Sequence, residues 1–149
     1  MSAADANDRA ACVFCRIVDH ANEPASYVAE EADAVAFLDV RPINDGHTLV
    51  VPRRHARSLA DLDEPSAEAI WSLARRVAGA LRRSGLRCDG VNLFLADGPA
   101  AGQEVFHSHL HVLPRWTGDG FGLRFPDHYR DHPPRADLDE TAGRVRRVM

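Results

Sequence analysis

The chain has 149 residues, of which 45% are hydrophobic and 27% charged, so it has the size and composition of one soluble globular domain with a buried core. Its net charge of −4 gives no general attraction to nucleic acid or to anionic membranes, and we expect neither as a partner. All 18 basic residues are arginines, which excludes lysine nucleophiles and Schiff bases.

The ends of the chain differ in character from its centre. Residues 1–11 are small and polar, which predicts a flexible N-terminal tail. Residues 12–149 are expected to form a single domain in which 121–149, rich in Gly, Pro and charge, are a variable C-terminal segment. The N-terminus lacks the pattern of a secretory signal, and no apolar run could span a bilayer, so we expect a cytoplasmic protein.

Short strands are predicted in the first third of the chain. Residues 26–30 and 34–38 form two apolar stretches around an acidic turn, which predicts a β-hairpin. Asp45 and Gly46 then mark a turn before a β-branched strand over 47–51, which Pro52 is expected to end.

One long helix and two more strands follow. Apolar residues recur at helical spacing over 65–84 and define a single buried face (Ile70, Leu73, Ala74, Val77 and Leu81). Strands are predicted over 91–95 and 105–113, the second ended by Pro114, and a short helix near 137–147. The pattern predicts an α+β fold, an antiparallel sheet of about five strands with one long helix and a short C-terminal helix. No glycine-rich phosphate-binding motif of the Rossmann or P-loop type is present.

Three histidines alternate along the last predicted strand. Because strand side chains have a period of two, His107, His109 and His111 are expected to project from one face. Such a row suits either nucleophilic catalysis or a three-histidine zinc site. Cys12 and Cys15 form a C-x-x-C pair, which indicates metal or redox chemistry in a chain with only three cysteines.

The H-x-H-x-H segment resembles the signature of the histidine triad (HIT) family. The resemblance covers about residues 12–121 and implies a HIT-like fold. It is carried by the triad together with Cys12-Val13-Phe14-Cys15-Arg16-Ile17, Phe37-Leu38-Asp39, the run from Gly46 to His55, and Pro114-Arg115 followed by Gly118-Asp119-Gly120-Phe121.

The resemblance implies a reaction at a nucleotide α-phosphate. His109 matches the nucleophile, which forms a nucleotidyl-imidazole intermediate, and a neutral imidazole suits that role near pH 7. His47 matches a position near the nucleophile that could fix its tautomer, and His111 matches one that contacts the phosphate.

Other positions match the nucleotide-binding residues of the family. Gln103 is expected to donate an amide hydrogen to a phosphate oxygen, and backbone N–H groups around Ser108 to do the same. Asp39 matches the acceptor for the ribose hydroxyls. Ala96 departs from the family, which often has Asn there, and its side chain can neither donate nor accept a hydrogen bond.

In some bacterial members, and in the related uridylyltransferases, two cysteines and two histidines bind zinc. The matching residues here are Cys12, Cys15, His55 and His107, a standard tetrahedral set for a structural metal. On this interpretation His107 anchors the segment that carries His109.

The expected substrate is a purine nucleotide or nucleotide conjugate, such as an adenosine phosphoramidate, cleaved by a phosphoramidase-like hydrolase or transferase. A homodimer is expected, since pairing would bury a sheet edge. Three alternatives stay open: a dinucleoside polyphosphate hydrolase, a non-catalytic nucleotide-binding scaffold, and a zinc-dependent hydrolase that uses the histidine row as ligands.

Overall fold

The computed structural model describes residues 8–149, which divide into two compact units. The first unit ends at Asp119 and the second spans Gly120–Met149, close to the predicted start of the variable segment. In the described residues no helix is both long and apolar enough to cross a membrane.

Besides the helical residues 8–11, the described part of the first unit contains two helices and five strands, and the second unit contains one α-helix. In chain order these are α1 (Val13–Val18), β1 (Tyr27–Glu30), β2 (Ala34–Leu38), β3 (Thr48–Pro52), α2 (Glu64–Leu81), β4 (Gly90–Leu95), β5 (Leu110–Arg115) and α3 (Arg135–Arg146). Short 3₁₀ turns lie at Pro99–Ala101 and Asp127–Arg130.

All five strands pair antiparallel in the order β1-β2-β3-β5-β4. The predicted hairpin is present as β1 and β2, with a register shift between Tyr27 and Ala29. The α+β class, the five-stranded antiparallel sheet and the long helix predicted from the sequence are confirmed.

Helix α2 covers one face of the sheet. The Asp63 side chain caps its first turn by accepting a hydrogen bond from the backbone N–H of Ser66, and Pro65 lies in that turn. The predicted apolar stripe packs against alternate residues of the strands, including Ala34, Ala36, Val50 and Val112.

The opposite face of the sheet carries α1, a helix that the sequence reading did not predict. Phe14, Ile17 and Val18 pack on the strand residues whose side chains point to this face, which are Val35, Phe37, Leu49 and Val51. At six residues, α1 is too short for helical periodicity to stand out. It brings the C-x-x-C pair to this face.

Three predicted boundaries need correction. Residues 8–11, expected in a flexible tail, are helical, while 1–7 lie outside the described residues. The last strand runs over Leu110–Arg115 instead of 105–113, so only His111 of the triad lies in it. Pro114, expected to end the last strand, lies inside β5, whereas Pro52 is the final residue of β3, as expected.

The second unit contains α3, which agrees with the short helix predicted near 137–147. The rings of Phe125 and Tyr129 stack within this unit, with centroids 4.1 Å apart.

Candidate active site and metal cluster

A cavity of about 570 Å³ opens on the α1 face of the sheet. Its apolar wall comes from α1, from the residues before β1 and from the end of β2. Its polar side chains are Glu23, Asp39, Arg41, His47, Glu104, His109 and His111. A cavity of this size and mixed lining is typical of a small-ligand site.

His109 is buried and keeps one ring nitrogen fixed. Its Nδ1–H donates to the backbone carbonyl of His107 over 2.7 Å, which leaves Nε2 as the nitrogen without a proton. The edge of Phe14 packs against the ring with centroids 5.1 Å apart. Burial lowers the pKa of His109, so the imidazole is neutral at physiological pH. A neutral, oriented imidazole in a cavity is equipped to act as a nucleophile.

His47 contacts His111, whereas the sequence placed it beside His109. The backbone N–H of Ile43 donates to Nδ1 of His47 over 3.3 Å, so Nε2–H of His47 donates to Nδ1 of His111 over 2.9 Å. This assignment leaves the proton of His111 on Nε2. His47 therefore orients His111, while the carbonyl of His107 orients His109.

His111 is further fixed by an aromatic neighbour. Phe94 of β4 stacks on its ring, with centroids 4.2 Å apart and an interplanar angle of 11°. Burial, followed by the charges of His109 and His47, lowers the pKa of His111 to about 4. Sequence reasoning missed Phe94, although its pairing with His111 follows once the β4–β5 register is known.

Asp39 lies at the end of β2, where the sequence placed it. One carboxylate oxygen accepts the backbone N–H of Arg41 over 2.8 Å, and the other lies 3.6 Å from Nδ1 of His47. The side chain is about one-fifth exposed and lines the cavity, so it can accept hydrogen bonds from a ligand hydroxyl.

Gln103 has a different role from the one predicted. Its Nε2 donates to the carbonyls of Arg57 and Val105, over 2.8 and 3.1 Å, and its Oε1 accepts the backbone N–H of Gly98 over 2.8 Å. Both amide hydrogens are used inside the protein, so Gln103 shapes the loop before the triad instead of donating to a phosphate.

Ser108 also differs from expectation. Its backbone N–H donates to the carbonyl of Ala56 over 2.6 Å and is not free for a phosphate oxygen. Its hydroxyl is buried and has no hydrogen-bond partner in the structure. Ala96 lines the cavity, so the absent amide would have faced the ligand.

An ion pair joins two loops beside the cavity. Arg41 and Glu104, both exposed and both in the cavity lining, lie 2.6 Å apart. The sequence reading missed both, because a single charged loop residue carries no pattern that indicates a partner 63 positions away.

Two cysteines and two histidines converge next to the cavity, as predicted. One donor atom from each of Cys12, Cys15, His55 and His107 lies within 4.8 Å of all the others. The Sγ of Cys15 is 3.2 Å from Nδ1 of His55 and 3.4 Å from Nδ1 of His107. Four such donors in one small volume could hold a metal ion of the zinc type.

The surroundings of the cluster suit metal binding. Nε2–H of His107 donates to the carbonyl of Pro52 over 2.9 Å, which points Nδ1 into the cluster. Hydrogen bonding from Cys15 lowers the pKa of Cys12 to about 3, and the same contact raises the pKa of Cys15. A thiolate is the form in which cysteine binds metals.

Comparison with known proteins agrees with this geometry. The family model described as the HIT domain matches residues 20–118. The chain belongs to the HIT family. An uncharacterized HIT-like protein of Borreliella burgdorferi is 43% identical over 115 residues, which cover 76% of this chain and 81% of the relative.

Solved HIT structures share the fold. A zinc-bound histidine triad family protein from Mycobacterium smegmatis has a TM-score of 0.72 and 38% sequence identity, and the match covers 89% of this chain and 99% of that protein's chain. A hypothetical histidine triad nucleotide-binding protein from Sulfolobus tokodaii has a TM-score of 0.67 and 31% sequence identity, and the match covers 83% of this chain and 78% of that protein's chain.

Proposed function

We propose that this HIT protein is a nucleotide hydrolase or transferase that attacks the α-phosphate of nucleoside monophosphate derivatives, such as adenosine phosphoramidates. The observation that carries the proposal is the hydrogen bond from Nδ1 of His109 to the carbonyl of His107, which leaves Nε2 free to attack in a cavity that also holds His111 and Asp39. The name of the Sulfolobus tokodaii relative supports a nucleotide ligand.

The reaction has two displacements at phosphorus. The Nε2 lone pair of His109 forms a bond to the α-phosphorus, and the bond from phosphorus to the leaving group breaks, with its electron pair going to that group, which takes up a proton from solvent. The ring of His109 gains positive charge, which its Nδ1–H bond to the carbonyl of His107 stabilises. Water or another acceptor then attacks phosphorus and loses a proton to solvent, while the P–N bond breaks and its electron pair returns to Nε2 of His109.

Two cavity residues assist in this proposal. His111, with its proton on Nε2, donates a hydrogen bond to a phosphate oxygen, and His47 fixes that orientation. Asp39 accepts hydrogen bonds from the ribose hydroxyls.

The test compares AMP release from adenosine phosphoramidate and from diadenosine tetraphosphate by wild type, His109→Ala and the matched control His132→Ala, which changes an exposed histidine. We expect His109→Ala to lose at least about a thousandfold in kcat while binding AMP with little change. Cleavage of only the tetraphosphate would indicate a dinucleoside polyphosphate hydrolase. AMP binding without turnover by wild type would contradict an enzymatic role and favour a scaffold.

We also propose that Cys12, Cys15, His55 and His107 hold a structural zinc ion. The convergence of their donor atoms and the zinc-bound relative from Mycobacterium smegmatis support this assignment. When bound, zinc would fix the segment that leads into His109 and would not take part in the reaction. The buried Nε2 of His55, which has no partner in the structure, would then be the non-ligating nitrogen.

Metal analysis of protein purified without chelators tests the zinc site. We expect about one zinc ion per chain, its loss in Cys15→Ser, and its retention in Cys88→Ser. Because folding and metal binding are coupled, Cys15→Ser should also unfold at a lower temperature. Zinc near zero in the wild type would contradict the proposal, and activity that depends on added zinc would favour a zinc-dependent hydrolase.

We propose a homodimer in which edge strand β4 pairs with its copy. β4 lies at one end of the strand order, so one side of its backbone is unpaired within the sheet. Light scattering at micromolar concentration tests this, and a monomeric mass would contradict it.

The cytoplasmic location stays a prediction.

A further inference from the structure

The strand order sets the length of the cavity. His111 lies on β5, and the residues that precede β1 line the same cavity, while β2 and β3 lie between these strands. At a spacing of about 4.8 Å between neighbouring strands, β1 and β5 are about 14 Å apart. Asp39, at the end of β2, falls between the two ends. The cavity therefore runs across the strand ends from the histidines to the segment before β1.

This geometry orients the nucleotide of the proposed function. With the phosphate at His109 and the ribose at Asp39, the base continues toward the segment before β1. The backbone N–H of Leu38 donates to the carbonyl of Ser26 over 2.9 Å, which holds this segment beside the end of β2. The walls there include the side chains of Ile17 and Phe37, which suit the faces of a planar base.

Glu23 lies in the segment before β1 and lines the cavity. Among the described residues of α1 and of this segment, it is the one charged residue in the cavity wall. Its side chain is 31% exposed, so a ligand can reach it. Nε–H of Arg16 donates to Oε2 of Glu23 over 3.1 Å, which anchors the carboxylate. Within the described chain, Oε1 accepts no hydrogen bond, so it is free to accept one from a ligand.

We propose that Glu23 makes the base end of the cavity selective for guanine. This inference rests on the proposed function, since it assumes a nucleotide with its phosphate at His109. The edge of a purine that lies farthest from the ribose is its Watson–Crick edge, and that edge meets Glu23. A carboxylate only accepts hydrogen bonds, so it selects bases that present donors there.

The four bases differ in what they offer a carboxylate. Guanine presents two adjacent donors, N1–H and the N2 amino group. Adenine presents one amino donor beside an acceptor nitrogen, which repels the second carboxylate oxygen. Cytosine has the same donor–acceptor pair as adenine, and uracil has one N–H between two carbonyl oxygens. Guanine is therefore the base that Glu23 fits best, and hypoxanthine, with N1–H alone, should rank second among the purines.

The experiment measures binding of GMP, IMP and AMP by calorimetry to wild type, Glu23→Gln and the control Glu68→Gln, which changes an exposed glutamate on α2. We expect wild type to bind GMP about tenfold more tightly than AMP, with IMP between them, since each hydrogen bond to a charged group discriminates by roughly that factor. In Glu23→Gln the amide offers one acceptor and one donor, which match adenine, so the preference should shift to AMP.

The outcomes separate this inference from the proposed function. Equal affinities for the three nucleotides in wild type, or a GMP preference unchanged in Glu23→Gln, would overturn the role of Glu23 and leave nucleotide binding intact. Failure of all three to bind would overturn both. Glu23→Ala, with thermal unfolding as a check on folding, should abolish the preference without creating one for AMP.

Discussion

The histidines of the cavity are neutral at physiological pH because burial removes the water that would stabilise their charged forms. Burial lowers the pKa of His47, His109 and His111, that of His111 to about 4. In the unfolded chain a histidine has its ordinary pKa of about 6.5. Between these values the unfolded state binds more protons than the folded state, so stability must fall as the pH falls.

His111→Gln should therefore reduce the acid sensitivity of the fold. Between pH 7 and pH 5 the single pKa shift of His111 costs the wild type about 2 kcal/mol of unfolding free energy. We expect the difference in stability between these two pH values to be smaller by about that amount in His111→Gln. Urea unfolding at both pH values measures it.

His132→Gln is the matched control, since His132 is exposed. Its pH dependence should equal that of the wild type. An unchanged pH dependence in His111→Gln would show that the ring is not held neutral by the fold.

The identities of the site residues could be predicted from the sequence, but some of their contacts could not. The resemblance indicated His47, Asp39 and the triad, and the cavity unites His47, His109, His111 and Asp39. The pairing of His47 with His111 depends on the β3–β5 register, in which Leu49 lies opposite His111, and a period-two pattern does not give a register.

At the scale of elements, the loop between β4 and β5 positions the triad through one buried amide. Gln103 ties together the backbones of Arg57, Gly98 and Val105. The Gln103 side chain is buried, and its removal would break three hydrogen bonds to the backbone at once, which is costly.

Gln103→Ala should thus destabilise the protein by about 2–3 kcal/mol. The expected effect on catalysis is indirect, through displacement of the loop before His109. Chemical denaturation measures the stability. Gln103→Glu keeps an acceptor for Gly98 but sets a carboxylate oxygen against the carbonyls of Arg57 and Val105, so it should be destabilised at least as much. If Gln103→Ala were as stable as the wild type but lost phosphate affinity, the original assignment as a phosphate donor would be correct.

The strands show why element boundaries were harder to predict than element types. Proline lacks an N–H, so a sequence rule ends strands at Pro52 and Pro114. Pro52 is the last residue of β3, but β5 continues through Pro114 to Arg115. In the structure, the pairing of β3 with β5 runs only over Thr48–Val50 on β3, so Pro52 lies beyond the ladder on that side. Pro114 likewise pairs with Val91 of β4 where β3 no longer faces β5. Whether a strand tolerates a proline thus depends on how its neighbouring strands pair, which the sequence does not show.

At the scale of the whole first unit, one turn brings the end of α2 against the loop that carries Asp39 and His47. Gly46 has a φ of +91°, a conformation that favours glycine. A Cβ built there would lie 2.9 Å from Leu81 of α2 and 2.8 Å from Leu86. The helix layer and the cavity loop thus meet at a position without a side chain.

Gly46→Ala should cost about 1–2 kcal/mol of stability through backbone strain and crowding. The matched control is Gly122→Ala, where φ is not positive and a Cβ would meet nothing within 4 Å. Chemical denaturation of both variants measures the difference. Equal stabilities would show that the turn can adopt another conformation without cost.

The bond from His109 to the carbonyl of His107 also has an evolutionary consequence. His107 contributes its side chain to the Cys/His cluster and its carbonyl oxygen to the orientation of His109. An insertion or deletion between the two would disturb both sites in a single mutational event. The two sites can therefore diverge by substitution but not by a change in length, and any lineage that lost the two cysteines would still have to retain the two-residue step.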